Sequence, residues 1–259
     1  EELARRAALA LENARLYELQ RDIAHTLQQS LLPPRLPDIP GLEIAARYLP
    51  GGAGHEVGGD FYDLFRIGRD WAVVIGDVCG RGPQAAALTA LARHTIRADA
   101  AYEPTPSRVL RQLNRAVLQQ EREPRLLTVA YLRLRVGRRR VDGVLASGGH
   151  PPPLILRSDG RVEEVAGAGT LIGAFPEIEL SERSLRLRSG DAILLYTDGI
   201  IEARRAGEFF GAERLEALLA GCTGLSAAAI IERLERGVAD FLGAPGQDDI
   251  ALLVLRAFR

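Results

Sequence analysis

Val73-Val74-Ile75-Gly76-Asp77-Val78-Cys79-Gly80-Arg81-Gly82 decides the reading of this chain. A β-branched apolar run, the mark of a buried strand, ends in an aspartate set among glycines. The same grammar recurs three times. Val57-Gly58-Gly59-Asp60 runs into Phe61-Tyr62-Asp63; Ile193-Leu194-Leu195-Tyr196-Thr197 ends in Asp198-Gly199; and Gln247-Asp248-Asp249 leads into Ile250-Ala251-Leu252-Leu253-Val254-Leu255. One Asp-Gly pair is simply a turn. Four at strand ends are different, because converging carboxylates repel one another unless a cation or protons neutralise them. Oxygen ligands with no obligatory His or Cys favour Mg²⁺ or Mn²⁺ over Zn²⁺.

Outward from these stations, strands are expected over 42–49, 60–67 and 71–78, then 126–136, 139–147, 152–157, 161–165, 184–188 and 191–197, with 249–256 closing the chain. Pro83 opens a helix over 83–101, as proline does at a first helical position. A second helix follows Pro106 to Glu121, and others cover 211–220 and 226–242. Strands in blocks with helices in pairs indicate segregated layers rather than alternating βαβ units. Residues 1–31 contain no Gly or Pro and read as one long helix, stopped by Pro33 and Pro34. Leu9, Leu16 and Ile23 recur every seven residues, with Leu19 and Leu27 on nearby turns. That spacing fits a coiled-coil linker pairing two protomers, or an amphipathic helix lying on its own domain. The organisation read here is a regulatory helix over 1–32 and one domain over 33–259.

The 259 residues are 47% hydrophobic, enough for a sizeable core, and the formal net charge is −1. A near-neutral chain shows neither a nucleic-acid surface nor a polybasic membrane anchor, and no apolar run approaches a transmembrane span. The charged start Glu1-Glu2-Leu3-Ala4-Arg5-Arg6 is not a signal peptide, and it lacks an initiator Met; the expectation is a cytoplasmic chain preceded by a further domain. Cys79 and Cys222 are too few for a disulfide framework.

The ordered set GGDFYD, GDVCGRG, LLTVAY, ASGGHPPPL, GDAILLYTDGIIEAR and GQDDIALLVL resembles the bacterial metal-dependent protein phosphatases of the type 2C (PPM) superfamily, in the RsbU and sporulation-stage-II-E branch, from Leu31 to Arg259. The resemblance implies an α+β fold, a four-layer α-β-β-α sandwich of two mainly antiparallel sheets flanked by helix pairs. It implies two Mn²⁺ or Mg²⁺ ions, with room for a third, that activate a water for attack on phosphorus. Residue by residue, Asp77 matches the aspartate shared by both ions and the Val78 carbonyl its neighbouring ligand. Asp60 matches the acidic ligand of the first strand, and Asp198 and Asp248 the two late aspartates. Asp63 and Asp249 match an outer shell or third-ion position. Thr128 falls near the site, and His150 organises its Gly-Gly-His-Pro loop. Gly169, Gly173 and Gly211 serve backbone geometry. The implied substrate is a phosphorylated anti-sigma-factor antagonist of the STAS type. Ala7 to Tyr17 resembles the helix leaving a GAF sensor domain, which implies an upstream sensor and a homodimer through that helix.

Three positions depart from the family pattern. Cys79 stands where animal-type relatives carry a histidine, so no side chain is assigned to protonate the leaving group. Arg81 replaces the usual His or Lys of the glycine loop and is read either as a phosphate partner or as a solvated arginine. Ala251 replaces a threonine, at the cost of one hydrogen bond. A cysteine-nucleophile phosphatase is excluded because Ala85, not arginine, stands six residues after Cys79. No Gly-x-Ser-x-Gly elbow or Walker loop is present. The alternative function is a catalytically silent phosphoprotein-binding or dimerisation module.

Overall fold

The computed structural model describes residues 2–51, 57–120, 126–138, 140–243, 246 and 248–258. Glu1, Glu121, Arg139, Gln247 and Arg259, on which parts of the expectations above fall, lie outside the described residues.

One sheet contains β1 (Leu42–Leu49), β12 (Ile250–Ala257), β9 (Ala192–Tyr196), β6 (Leu154–Leu156) and β7 (Val162–Glu164), in that spatial order. The other runs β2 (Phe61–Ile67), β3 (Asp70–Val78), β4 (Leu127–Val136), β5 (Arg140–Gly148) and β8 (Glu182–Arg188). Every pairing within them is antiparallel.

Strand periodicity builds the layers. Successive side chains point to opposite faces, so Val73 and Ile75 of β3 face the other sheet while Ala72 and Val74 face helices. Between the sheets, Leu64, Val73, Ile75, Leu132 and Leu134 meet Ile193, Leu195, Leu253 and Leu255. On the outer face of the second sheet, α2 (Pro83–Ala100) and α3 (Pro106–Leu118) bury Leu88, Ile96, Leu110 and Leu113 against Phe61, Val74 and Tyr131. On the outer face of the first, α4 (Gly211–Ala220) and α5 (Ala227–Leu242) bury Leu215, Ile230 and Leu234 against Leu194, Leu252 and Val254. The result is the expected four-layer α-β-β-α sandwich.

Local signals explain several ends. Pro83 and Pro106 occupy first turns, where no amide partner is lost. The Ser226 hydroxyl accepts from the Ala229 amide to cap α5, and Gly243, in the left-handed region, ends it. The second helix stops at Leu118, short of the expected Glu121. Two short elements were not legible: a hairpin of β10 (Arg204–Arg205) with β11 (Glu208–Phe209), and a 3₁₀ turn at Asp198–Ile200.

The first helix, α1 (Glu2–Leu31), is continuous. Leu9, Leu11, Leu16, Leu19, Ile23 and Leu27 are all exposed on it. Its C-terminal Leu31 is buried with Val57 against Ala86 and Ala90 of α2. Among the described residues no helix is long and apolar enough to cross a membrane.

The inter-sheet core makes a direct prediction. Leu253 is fully buried there, so Leu253→Ala should lower unfolding free energy in urea by about 2–5 kcal/mol, the lost transfer energy plus a cavity. A loss under about 0.5 kcal/mol, as at a surface position, contradicts this core.

Candidate metal centre

Strand register brings the acidic stations together. In the β2–β3 hairpin Phe61 pairs with Gly76, so Asp60 and Asp77 lie side by side at one end of that sheet. In the other sheet Tyr196 pairs with Leu252, which sets Asp198, just past β9, beside Asp248 and Asp249, just before β12. The two ends face each other. The buried Thr197 hydroxyl donates to Asp60 Oδ2 at 2.6 Å, across the sheets, and accepts from the Ala251 amide at 2.8 Å.

Glycines set how closely these segments approach. A Cβ at Gly59 would sit 2.1 Å from the Val78 carbonyl oxygen and 2.5 Å from Asp77 Oδ1, so both oxygens occupy the space over Gly59. A Cβ at Gly199 would lie 1.9 Å from the Asp249 carbonyl oxygen, and one at Gly51 would lie 2.3 Å from the Asp248 backbone. Larger residues there would push the two strand ends apart.

Electrostatics follow from burial. Burial first, then the Asp198 charge, push Asp77 up to about 7. Asp60 is raised well above the usual carboxylate range, chiefly by burial and then by Asp77, against the opposing pull of the Thr197 hydrogen bond. Asp198 is raised by burial and by Asp248. Asp249 is raised by burial, although the Gly51 amide donates to its Oδ1 at 2.7 Å and the Tyr48 hydroxyl also supports it. Asp77, Asp248 and Asp249 line a cleft of about 380 Å³ with Gly59, Val78, Gly80 and Arg81. Asp60 and Asp198 do not line this cleft, and among the described residues no group of three His, Cys, Asp or Glu side chains is already placed to hold a metal ion.

This donor set fits hard divalent cations. It offers acceptor oxygens on rigid strand ends, one backbone carbonyl beside a carboxylate, and acids that hold protons in want of a counter-charge. Asp60, Asp77, Val78, Asp198 and Asp248 are the residues that could hold such ions, with Asp249 at the periphery.

Asp63 is a correction. Alternation puts it on the same face of β2 as Phe61, toward α2, rather than toward the cleft. There it is buried, and Arg97 donates to both its oxygens at 2.7 Å while Arg93 adds a third bond at 3.3 Å. It is an ion-paired structural carboxylate and not part of the metal set.

Thr128 faces Asp77 in register, and its hydroxyl lies 2.8 Å from His150 Nδ1. His150 is buried, its pKa pushed down to about 3 by desolvation, and its backbone amide donates to the Ser147 hydroxyl at 3.1 Å. It is a neutral loop organiser, as its sequence context indicates. The Cys79 thiol is raised by partial burial and by Asp77 and Asp198, so it stays protonated. Sequence reasoning missed Thr197 and Tyr48. Thr197 precedes Asp198, but its partner Asp60 lies 137 residues away; Tyr48, one residue from the end of a strand, carried no signal.

A second cleft, of about 970 Å³, opens toward the far ends of β3 and β4. Its arginines are largely neutralised, Arg133 and Arg135 by Asp70, Arg186 by Asp142, and Arg157 by Glu163 and Asp191. It contains no comparable chemistry.

The raised carboxylates have a stability consequence. Held at about 7 or otherwise above the ordinary value of 3.8, they bind protons in the fold that the unfolded chain has released. Between those limits the folded state binds more protons, so stability falls as pH rises. Without divalent cations the melting temperature should therefore drop from pH 5.5 to pH 8. Asp77→Asn should raise it at pH 8, and added Mn²⁺ should restore the unaltered chain but act weakly on the variant. A melting temperature independent of pH and of Asp77 contradicts the cluster.

Comparison with known proteins agrees with this geometry. The model of the stage II sporulation protein E (SpoIIE) family matches residues 67–258. Protein IcfG of Synechocystis sp. is 30% identical over 76% of this chain, which spans 35% of that protein. Phosphoserine phosphatase RsbU of Bacillus subtilis is 25% identical over 91% of the chain, which spans 69% of RsbU. The crystal structure of the RsbU and RsbW domains of Rv1364c from Mycobacterium tuberculosis is 29% identical and superposes with a TM-score of 0.69, over 86% of this chain and 61% of that one. By the extent of the family match and by its two-sheet fold, the chain belongs to the SpoIIE family, in the RsbU and SpoIIE branch of the PPM-type protein serine/threonine phosphatase domains.

Proposed function

We propose that this domain hydrolyses phosphoserine or phosphothreonine on a partner protein, and that the partner is a phosphorylated anti-sigma-factor antagonist. The observation that carries the chemistry is the convergence of Asp60, Asp77, Asp198 and Asp248 at the facing ends of two sheets, where burial first of all raises Asp60, Asp77 and Asp198. The likeness to phosphoserine phosphatase RsbU supports the substrate class.

In this reading Asp77 and the Val78 carbonyl, side by side over Gly59, would hold divalent cations together with Asp60 from the same sheet and Asp198 and Asp248 from the other. Bound divalent cations would supply Lewis acidity toward the phosphoryl oxygens and an activated water as nucleophile. The chain's own part is positioning. Thr197 fixes the Asp60 carboxylate from the opposite sheet, Tyr48 and the Gly51 amide fix Asp249, and the glycines hold the two ends at contact distance. Cys79 carries no covalent step, because Ala85 rather than a cradle arginine stands six residues after it.

The test is phosphate release from a phosphorylated antagonist protein, with Mn²⁺ and with chelator. Asp77→Asn should cost about a thousandfold or more in kcat, since several kcal/mol of charge stabilisation depend on it. Thr197→Val should cost about 10–100-fold in cation affinity or activity, as loss of an outer-shell partner does. Cys79→Ser should retain most activity. Mn²⁺-dependent turnover surviving in Asp77→Asn overturns the assignment. Binding of the phosphoprotein without turnover in the unaltered chain makes the domain a silent recognition module.

The exposed heptad positions of α1 support a second proposal, that two copies pair through this helix beneath an upstream sensor domain. Leu16 and Ile23, one heptad apart, stand 57% and 53% exposed. Arg93 links the end of α1 to the catalytic sheet, since it donates to the Leu31 carbonyl and to Asp63, three residues past Asp60. Replacing Leu16 and Ile23 together by Glu should halve the mass seen by light scattering and shift the Mn²⁺ concentration needed for activity, with the domain still folded. Unchanged mass and metal dependence refute the pairing.

A further inference from the structure

Arg81 is the one cationic side chain among the described residues lining the acidic cleft. It stands between Gly80 and Gly82, whose φ values of +102° and +87° turn the chain sharply on either side of it. The Gly82 amide is anchored to the Val57 carbonyl at 2.7 Å, so the loop backbone is fixed while the side chain reaches over the cleft. Its Nη2 lies 2.8 Å from Asp248 Oδ1. The two side chains are 38% and 63% exposed, so this contact is solvent-screened and weak, and the Arg81 charge also acts on the neighbouring Asp249. That same Asp248 oxygen also accepts from the Asp249 amide at 2.9 Å, which keeps the carboxylate aimed at the cleft whether or not the guanidinium is present.

Two facts follow from charge. A divalent cation that uses Asp248 competes with a guanidinium for the same oxygen. A phosphorylated side chain entering a cleft walled by Asp77, Asp248 and Asp249 meets repulsion that a fork of N–H donors at the rim would offset. We propose that Arg81 exchanges partners: it counters Asp248 until a cation takes that carboxylate, and then turns its guanidinium to the phosphoryl oxygens of the substrate. Arg81 thereby lowers cation affinity and raises affinity for the phosphorylated ligand, two effects of opposite sign from one side chain. The inference deepens the phosphatase reading and rests on it for the role of Asp248.

The experiment uses calorimetry on the unaltered chain and on Arg81→Ala and Arg81→Lys, first with Mn²⁺ alone, then with inorganic phosphate added to the Mn²⁺-saturated protein. KM for a phosphorylated protein substrate is measured alongside. Arg81→Ala should bind Mn²⁺ about threefold more tightly, the worth of an exposed ion pair. It should bind phosphate about tenfold or more weakly and raise KM similarly, the worth of a charged hydrogen-bonded contact. Arg81→Lys should keep Mn²⁺ affinity near that of the unaltered chain, because the charge remains, and should lose phosphate affinity, because the two-pronged donor is gone. If Arg81 only pins the loop before β12, Arg81→Ala binds Mn²⁺ more weakly and phosphate equally, and the exchange is overturned. Unchanged phosphate binding with tighter Mn²⁺ binding also overturns it. Failure of the unaltered chain to bind Mn²⁺ at all overturns the metal reading itself, a result separable from either of these.

Discussion

Burying carboxylates beside one another is the constraint around which this molecule is arranged. Asp60, Asp77 and Asp198 sit within reach of each other's charge at the facing ends of two sheets, and each is raised by burial before any neighbour is considered. A fold gains nothing from such a cluster. It persists where surrounding structure over-determines it, and here that structure is two antiparallel sheets whose ladders fix every strand end. The Thr197 hydroxyl, bonded to Asp60 on one side and to the Ala251 amide on the other, is a buried link between the two halves of the cluster.

The apolar layers explain why the geometry is rigid enough to hold that charge. The inter-sheet core and the two helix-facing cores are contiguous with the strands that end in the aspartates, so moving one ligand means shearing packed side chains. Polar pairing is placed to serve the same end. Asp63, one alternation away from the cleft, is fully committed to Arg93 and Arg97 of α2, and Arg93 also takes up the last carbonyl of α1. The long helix therefore ends on a side chain that is bonded to Asp63, three residues past Asp60, which gives a physical route from the helix to the candidate site.

Much of this was legible in the sequence because it is written in period and punctuation. Alternating Val and Ile runs fixed the strands, Pro83 and Pro106 fixed two helix starts, and repeated Asp-Gly at strand ends marked the cluster. The resemblance matches Asp63 to an outer-shell or third-ion position, but the side chain turns away from the cleft. Only the pleat, which puts Asp63 beside Phe61 and away from Asp60, and the arginines supplied by a helix some thirty residues later, show this. Thr197 and Tyr48 act through long-range contacts, with partners 137 and about 200 residues away, that no local pattern records. The contact of Gly59 with the Val78 carbonyl is similarly invisible until the two loops are placed together.

The most direct test of the central claim is the proton count on cation binding. If the site is a set of carboxylates kept partly protonated by burial and by one another's charge, Mn²⁺ must displace protons when it binds. Titrating Mn²⁺ into the unaltered chain at pH 6.5 in two buffers of different ionisation enthalpy measures that number. The account predicts saturable binding with net proton release of about one or more per chain, falling as pH is raised to 8.5 and reduced in Asp77→Asn. Saturable binding with no proton release at pH 6.5, or no saturable binding, contradicts it.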